Sequence, residues 1–215
     1  MRWLSGTLVL VRHGEIVRPI HSSNFDRAPL SAFGESQITD LARAWPAKRP
    51  TVVFASPLRR SIESATLLAN SFGLRIRKRP CLKEWSADES GIPQPEYKAL
   101  ERRAWGNFAF VPPSKESLAH AAIRGRRCLE EIAETLDGST AAVVGHGTLF
   151  SLVVAELKGE RATEAYKDSI GFASAAILQA GSRLRLVRDF QSYGVPLKSV
   201  DGFALTHSAL TRPNP

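Results

Sequence analysis

The sequence predicts an α/β protein, a three-layer sandwich with a mostly parallel central sheet, helices on both faces and an antiparallel edge hairpin. Short, continuously apolar runs alternate with amphipathic helical patterns through much of the chain, which is typical of strands buried between two helical layers. The last two apolar runs are separated only by Ala180-Gly181-Ser182, a turn that indicates a hairpin.

Length and composition favour one globular domain. The chain has 215 residues, of which 43% are hydrophobic and 23% charged, so it can bury a sizeable core without disulfides or structural metal. We expect a single domain over 1–215. The stretch 81–113 is poorly patterned and rich in proline, and we interpret it as a cap-like insertion over the sheet.

The first half of the chain is predicted to contain three strands and two main helices. Ser31 is a typical N-cap, and the helix that follows it ends at Pro46. Ser56 is interpreted as the next N-cap, with Pro57 as the first helical residue. The strands are predicted over 7–11, 51–55 and 74–79.

The second half is predicted to add helices and the hairpin. A short helix over 96–105 lies within the proposed cap, and a longer one over 117–136 is weakened by Gly125. A buried strand over 140–144 leads directly into a helix over 147–157. The hairpin strands are predicted over 174–178 and 184–187.

A net charge of +8 predicts attraction to anions, although it does not name them. The densest basic run, 75–79, is interpreted as an exposed strand edge kept soluble by charge. No aromatic residues interleave with it, as stacking on bases would require, so no nucleic acid partner is expected.

The cysteines and the amino-terminal segment favour a cytoplasmic protein. Cys81 and Cys128 are far apart and match no metal-binding or redox spacing, which suggests a reducing compartment, with Cys128 as a small apolar helix residue. The apolar stretch before Arg12 is too short for a signal sequence or a membrane span, so no membrane partner is expected.

Three predicted strand ends carry polar and cationic residues. Arg12-His13-Gly14-Glu15 follows the first strand, the turn 56–60 with Arg59 and Arg60 follows the second, and Gly145-His146-Gly147 follows a later one. In parallel sheets, ligands bind beyond the carboxyl ends of the strands. We therefore expect these groups to share one pocket.

The combination suits phosphoryl transfer. A neutral imidazole is a good nucleophile, and arginine forks match phosphate geometry while staying charged. Each residue alone is more often structural, but two glycine-flanked histidines at separate strand ends favour function. A metal site is not expected, although His21 and His120 are also available, because no metal-ligand spacing occurs and adjacent cations would repel the ion.

These residues resemble the histidine phosphatase superfamily, which includes phosphoglycerate mutases and many small-molecule phosphatases. The resemblance extends over roughly 7–157. The similar segments are Arg12-His13-Gly14, the run 30–37 beginning Leu30-Ser31, the run 56–65 with Arg60 in the phosphate-binding position, Leu82-Lys83-Glu84, Glu116-Ser117 with Arg124, and Val144-Gly145-His146-Gly147.

The resemblance implies a metal-independent phosphatase without a cofactor that hydrolyses a small phosphomonoester through a phosphohistidine intermediate. His13 would attack phosphorus, Arg12, Arg60, His146 and Gly147 would bind the phosphoryl group, and Glu84 would protonate the leaving oxygen. The alternatives are mutase-type phosphoryl transfer and a phospho-ligand-binding scaffold with little turnover. Oligomeric state and substrate identity are left open.

Two departures from the family pattern keep alternatives open. The family's usual Thr and Asn after the signature are replaced here by Ile16 and Pro19, so Ser23 or Asn24 is a candidate for that phosphate contact. The usual residues after Glu84 are also missing, which leaves Asp88 or Glu89 as alternative acids.

Overall fold

The computed structural model describes residues 6–19 and 24–194, which form a six-stranded sheet flanked by helices. The strands are β1 (Gly6–Arg12), β2 (Val52–Ala55), β3 (Ile76–Lys78), β4 (Thr140–Gly145), β5 (Ala175–Ala180) and β6 (Leu184–Gln191). The helices are α1 (Ala32–Arg43), α2 (Arg59–Phe72), α3 (Gln94–Gly106), α4 (Leu118–Ala133), α5 (Gly147–Lys158) and α6 (Glu164–Ser169), with a 3-10 turn at Pro80–Leu82.

The sheet confirms the predicted fold class. Its strand order is β3-β2-β4-β1-β5-β6, and the first four of these strands pair in parallel. Strand β5 is antiparallel to β1 and to β6, so the predicted hairpin closes one edge. The basic strand β3 forms the other edge, as predicted from its charges.

Two helical layers cover the sheet because side chains alternate along each strand. Leu8 and Leu10 of β1 face one way and pack in a core that includes residues of α4 and α5. Val9 and Val11 face the other way and pack with residues of α1 and α2. The carboxyl ends of the parallel strands therefore emerge between two firmly packed layers.

Gly125 was expected to weaken α4, but its absent side chain is what allows α4 to pack closely on α5. A Cβ at this position would lie 2.8 Å from a Leu149 methyl carbon and 2.9 Å from a Val153 methyl carbon. Helices approach closely where one of them lacks a side chain, so packing outweighs the low helix propensity of glycine here.

The helix start predicted at Ser56 is wrong. Helix α2 begins at Arg59 with Leu58 as its N-cap, and no side chain caps it. The Ser56 hydroxyl instead lies 2.7 Å from the Nε2 atom of His146. Helix α6 carries no prediction from the sequence, because six residues are too few to show a helical period.

The inference drawn from the cysteines also needs correction. Cys128 lies buried on α4, as predicted, but it forms a disulfide with Cys81, with Cα atoms 5.8 Å apart. The fold brings the 3-10 turn against α4, and sequence separation gave no sign of this. The pair therefore no longer supports a reducing compartment, and the cytoplasmic location stays a prediction.

Part of the stretch 81–113 packs against helices α4 and α5. Trp85 and Trp105 are buried together with Leu118 of α4 and Leu149 of α5, in a cluster separate from the two sheet cores. Helix α3 is thereby held over the region where the strands end. Within the described residues, no helix is long and apolar enough to cross a membrane.

Candidate active site

The ends of β1 and β4 bring the two predicted histidines together. These strands are neighbours, with Arg12 in register with Gly145. The imidazole rings of His13 and His146, each one residue beyond its strand, have centroids 5.3 Å apart. A cavity of about 270 Å³ begins here, and His13, Arg12, Arg60, Glu84 and Gly147 all line it. His146 lies behind His13 and is fully buried rather than on the cavity surface.

The turn after β1 is fixed by the run 30–37. The Ser31 amide donates to the Glu15 carbonyl, the Ser31 hydroxyl donates to the Glu15 carboxylate, and the Glu15 amide donates to Gln37, each at 2.9 Å. A Cβ on Gly14 or Gly34 would overlap the facing backbone, so only glycine permits this approach. The run holds His13 in place without touching the cavity.

His13 is oriented from three sides. Its Nδ1 lies 2.7 Å from the Gly14 carbonyl oxygen, and because that oxygen can only accept, Nδ1 carries the proton and Nε2 keeps its lone pair. The Gly14 amide donates to the Ser64 hydroxyl at 3.1 Å, and the Ala173 amide donates to the His13 carbonyl at 3.1 Å.

Both imidazoles are held neutral. Burial, reinforced by the positive charge of Arg60, lowers the pKa of His13 and that of His146 well below the ordinary value of a histidine. The Nε2 of His146 bonds with Ser56, whereas its buried Nδ1 has no hydrogen-bond partner among the described residues. A buried ring nitrogen without a partner in the protein is satisfied by a bound ligand or by water.

Arg12 and Arg60 present guanidinium groups to the cavity. Arg12 donates to the Ile170 carbonyl, and its Cζ lies 4.3 Å from the centroid of the Phe172 ring. Its buried Nε has no partner among the described residues. Arg60 donates to the Phe25 carbonyl at 2.5 Å and is 6% exposed. Burial lowers the pKa of both arginines. Because the ordinary pKa of arginine is very high, both side chains nevertheless stay charged.

Arg59 and Arg60 occupy different places in the structure. Arg59 is exposed and pairs with Glu63 at 2.7 Å, one helical turn away. Arg60, the next residue, points into the cavity. Because consecutive residues of a helix point in different directions, Arg59 lies at the surface and Arg60 lies in the cavity.

Glu84 lies opposite the histidines and caps helix α5. One carboxylate oxygen accepts from the Leu149 amide and from the Trp85 amide, at 2.9 and 3.0 Å, and the other accepts from the Thr148 amide at 2.9 Å. His146 is the N-cap residue of α5 but makes no side-chain cap bond, so Glu84 supplies what the helix lacks. Its carboxylate is therefore fixed at the cavity wall.

The Glu116 and Arg124 pair supports the segment that carries Glu84. The guanidinium of Arg124 makes two hydrogen bonds of 2.7 Å to the Glu116 carboxylate. Its remaining nitrogen donates to the carbonyls of Cys81 and Lys83, at 2.7 and 2.9 Å. Arg124 thus ties this segment to α4 one residue before Glu84.

The alternative acids are placed elsewhere. Burial opposes ionisation of Asp88, but hydrogen bonds from Ser90, Gly91 and Ile92 outweigh it and lower the pKa of Asp88. Glu89 is exposed and pairs with Lys83 at 2.8 Å. Neither residue lines the cavity.

The candidates for the missing phosphate contact are Asn24 and Ser23. The Asn24 side chain donates to the Glu89 carbonyl and accepts from the Asp26 amide, and it does not line the cavity. Ser23 and His21 lie outside the described residues. His120 is exposed near the start of α4, away from the cavity. In 6–19 and 24–194, no group of three or more His, Cys, Asp or Glu is placed to hold a metal ion.

The outer wall of the cavity was missed by the sequence analysis. It is formed by α3, α6, the turn after α6 and the loop after β1; its members include Gln94, Tyr97, Lys98, Glu101, Lys167, Asp168, Phe172 and Arg18. The four α3 residues fall at a helical spacing on the predicted helix 96–105 and just before it. That polar face could have been found, whereas the α6 residues had no motif.

The family comparison agrees with this geometry. The model for the histidine phosphatase superfamily (branch 1) matches residues 8–190. The chain therefore belongs to the histidine phosphatase superfamily.

Individual relatives differ in their named activities. The chain is 29% identical over 160 residues, 70% of its length, to the probable phosphoglycerate mutase GpmB of Yersinia enterocolitica, covering 74% of that protein. A mycobacterial glucosyl-3-phosphoglycerate phosphatase matches with TM-score 0.68 and 23% identity over 86% of this chain and 98% of that one. A phosphoserine phosphatase from Entamoeba histolytica matches with TM-score 0.70 and 18% identity, over 87% and 97%.

Proposed function

We propose that this protein is a metal-independent phosphatase that hydrolyses a small phosphomonoester in two steps through a phosphohistidine on His13. The observation that carries the proposal is the neutral His13, whose Nδ1 faces the Gly14 carbonyl, beside the two buried guanidinium groups of Arg12 and Arg60. A nucleophilic nitrogen and two fixed cations are what phosphoryl transfer needs.

In the first step, the Nε2 lone pair of His13 forms a bond to phosphorus while the bond from phosphorus to the ester oxygen breaks. Arg12, Arg60 and the amide at Gly147 bind the phosphoryl oxygens at the cavity wall, while the buried His146, which does not line the cavity, packs beside His13. Protonated Glu84 gives its proton to the departing oxygen, so an alcohol leaves and a Glu84 carboxylate remains. The imidazolium that forms is stabilised by the Gly14 carbonyl.

In the second step, water takes the place of the alcohol. The water oxygen bonds to phosphorus while Glu84 accepts a proton from the water, and the bond from phosphorus to His13 breaks. Inorganic phosphate leaves, and Glu84 is again protonated. The backbone amides that hold Glu84 keep it in one place for both proton transfers.

The test is phosphate release from para-nitrophenyl phosphate and a panel of phosphorylated metabolites, with chelator present. We expect turnover by the wild-type protein, no effect of chelator, and a loss of at least about a thousandfold in His13→Ala. His120→Ala is the matched control, because that histidine is exposed and outside the cavity. Equal activity of His13→Ala and the wild type would refute the proposal.

A mutase-type transfer is the second candidate, favoured by the named activity of the Yersinia relative. A mutase returns the phosphoryl group to a bound acceptor rather than to water. Mixing the protein with 3-phosphoglycerate and following both free phosphate and the 2-phospho isomer separates the two reactions. Vanadate binding without any turnover would instead favour a phospho-ligand-binding scaffold.

A further inference from the structure

The outer wall of the cavity holds a cluster of charges that phosphoryl transfer does not use. Glu101 of α3 is 6% exposed and is shared by two lysines, with Lys167 of α6 at 3.2 Å and Lys98 at 2.5 Å. Both lysines line the cavity. A carboxylate buried between two helices thus fixes two ammonium groups at the mouth.

The two lysines differ in how far they are neutralised. Lys167 also contacts Asp168 at 3.1 Å and Glu164 at 3.7 Å, so its charge is locally balanced. Lys98 pairs only with Glu101 among the described residues, and half of its side chain is exposed. An ammonium group has three donor hydrogens, so Lys98 retains hydrogens for a ligand.

Arg18 adds a second uncommitted cation on the same surface. It lines the cavity, is exposed, and makes no hydrogen bond or ion pair with any residue in the described ranges. Its charge is close enough to Arg12 to act against the ionisation of that residue. An anion bound in the cavity would reduce this repulsion between like charges.

The net charge of the cavity lining also favours a substrate that carries a negative charge besides its phosphate. Five cationic and three acidic side chains line it. When Glu84 is protonated, as the proposed first step requires, the lining carries three positive charges in excess. A phosphomonoester dianion balances two of them, and one negative charge on the rest of the substrate would balance the third.

We propose that Lys98 and Arg18 form a second anion subsite, so that the preferred substrates are phosphomonoesters whose alcohol portion carries a further negative charge, a carboxylate or a second phosphate. This inference rests on the proposed phosphatase function and concerns its choice of substrate. Lys167 acts by positioning Glu101, which in turn orients Lys98.

The test compares 3-phosphoglycerate with glycerol 3-phosphate, which has a hydroxymethyl group where the former has a carboxylate. Both esters release a primary alcohol, so the second charge is the main difference. We expect kcat/KM for 3-phosphoglycerate to be at least about tenfold higher. Glycerol 1,3-bisphosphate forms a third arm, which tells whether carboxylate or phosphate is the better second anion.

Substitutions of Lys98 and Arg18 test whether these residues cause the preference for 3-phosphoglycerate. Lys98→Met and Arg18→Gln are each expected to reduce the ratio of kcat/KM for 3-phosphoglycerate over glycerol 3-phosphate by about fivefold to tenfold. Arg102→Met is the matched control, because Arg102 lies on the same helix, is exposed and is not part of the cavity lining. It removes the same charge and should leave the ratio unchanged.

A binding measurement keeps this inference separate from catalysis. Titration calorimetry with His13→Ala should show the same preference for 3-phosphoglycerate over glycerol 3-phosphate, and Lys98→Met in that background should reduce it. Equal affinities, or a preference that survives both the Lys98 and Arg18 changes, would overturn the second subsite. Absent turnover by the wild type with this preference intact would contradict only the phosphatase proposal.

Discussion

The inner and outer halves of the cavity are built in different ways. The inner half consists of strand ends and helix starts, and its histidines and Arg60 are almost fully buried. Backbone carbonyls fix His13 and Arg60, and the Ser56 hydroxyl fixes His146. The outer half consists of side chains from α3, α6 and the turn after α6, several of them exposed to solvent. Buried, fixed charges suit one unchanging reaction, whereas exposed charges on added helices suit the choice of substrate.

The largest effect on activity is expected when a cation is removed from the inner half. Arg60→Ala should lower kcat/KM by roughly a thousandfold, because a buried guanidinium aimed at the phosphoryl oxygens has no substitute. Arg59→Ala removes the same charge from the neighbouring surface position and should cost less than about threefold. Steady-state kinetics with para-nitrophenyl phosphate measures both, and the reverse ranking would show that Arg59 is the phosphate ligand.

The second test concerns Glu84, the proposed acid, which lies between the two halves. Glu84→Gln should lower kcat for glycerol 3-phosphate by roughly a hundredfold, because an alkyl leaving group needs a proton. The loss should be much smaller for para-nitrophenyl phosphate, whose leaving group needs none. Glu89→Gln is the control, since Glu89 lies outside the cavity. Equal losses for both substrates in Glu84→Gln would mean that Glu84 is only a helix cap.

The third test uses the pH dependence of stability, which should arise in the inner half. His13 and His146 are neutral when folded, with pKa values lowered by burial, but take up protons near pH 6.5 when unfolded. The unfolded state therefore binds more protons than the folded state below pH 6.5. As the pH is lowered through this range, the free energy of unfolding should fall by up to about 1.4 kcal/mol per pH unit for each histidine.

Urea unfolding between pH 7.5 and 5.5 measures this slope. In His146→Asn the slope should be shallower than in the wild type, while His120→Asn should leave it unchanged. A wild-type stability that is constant over this range would mean that the two imidazoles are not held neutral.

The smallest effect is expected at Phe172, a residue of the outer half that contacts the inner half. Its ring lies against the Arg12 guanidinium and 5.6 Å from the His13 ring by centroids. Phe172→Leu removes the cation–π contact and should lower kcat/KM by roughly fivefold for all phosphomonoesters alike. Phe172→Tyr should retain most activity. A change in substrate preference without a general loss would mean that Phe172 acts on the choice of substrate and not through Arg12.

The difference between the halves also explains what the sequence could predict. Some candidate residues lie in local motifs tied to strand and helix ends, so pattern and resemblance were enough to single them out as candidates: Arg12, His13, Arg60, Glu84, His146 and Gly147. Lys98 and Glu101 lie on a helix that was predicted but not interpreted. Lys167 and Phe172 have no local signal, because only the folded chain brings them to the cavity.

The errors have a similar cause. Ser56 has the residue type of an N-cap, but its hydroxyl bonds with His146, whose place in the fold was unknown from sequence. Cys81 and Cys128 are far apart along the chain and adjacent in space. Local chemistry predicted the elements, whereas contacts between distant segments required the structure.

The most direct test of the central claim is the site of phosphorylation during turnover. Protein mixed with substrate is quenched in alkali within milliseconds, digested, and examined by mass spectrometry for phosphohistidine. The account predicts an acid-labile phosphoryl group on His13, absent in His13→Ala and in protein without substrate. Phosphorylation of His146, or turnover with no phosphohistidine at His13 at any quench time, would contradict it.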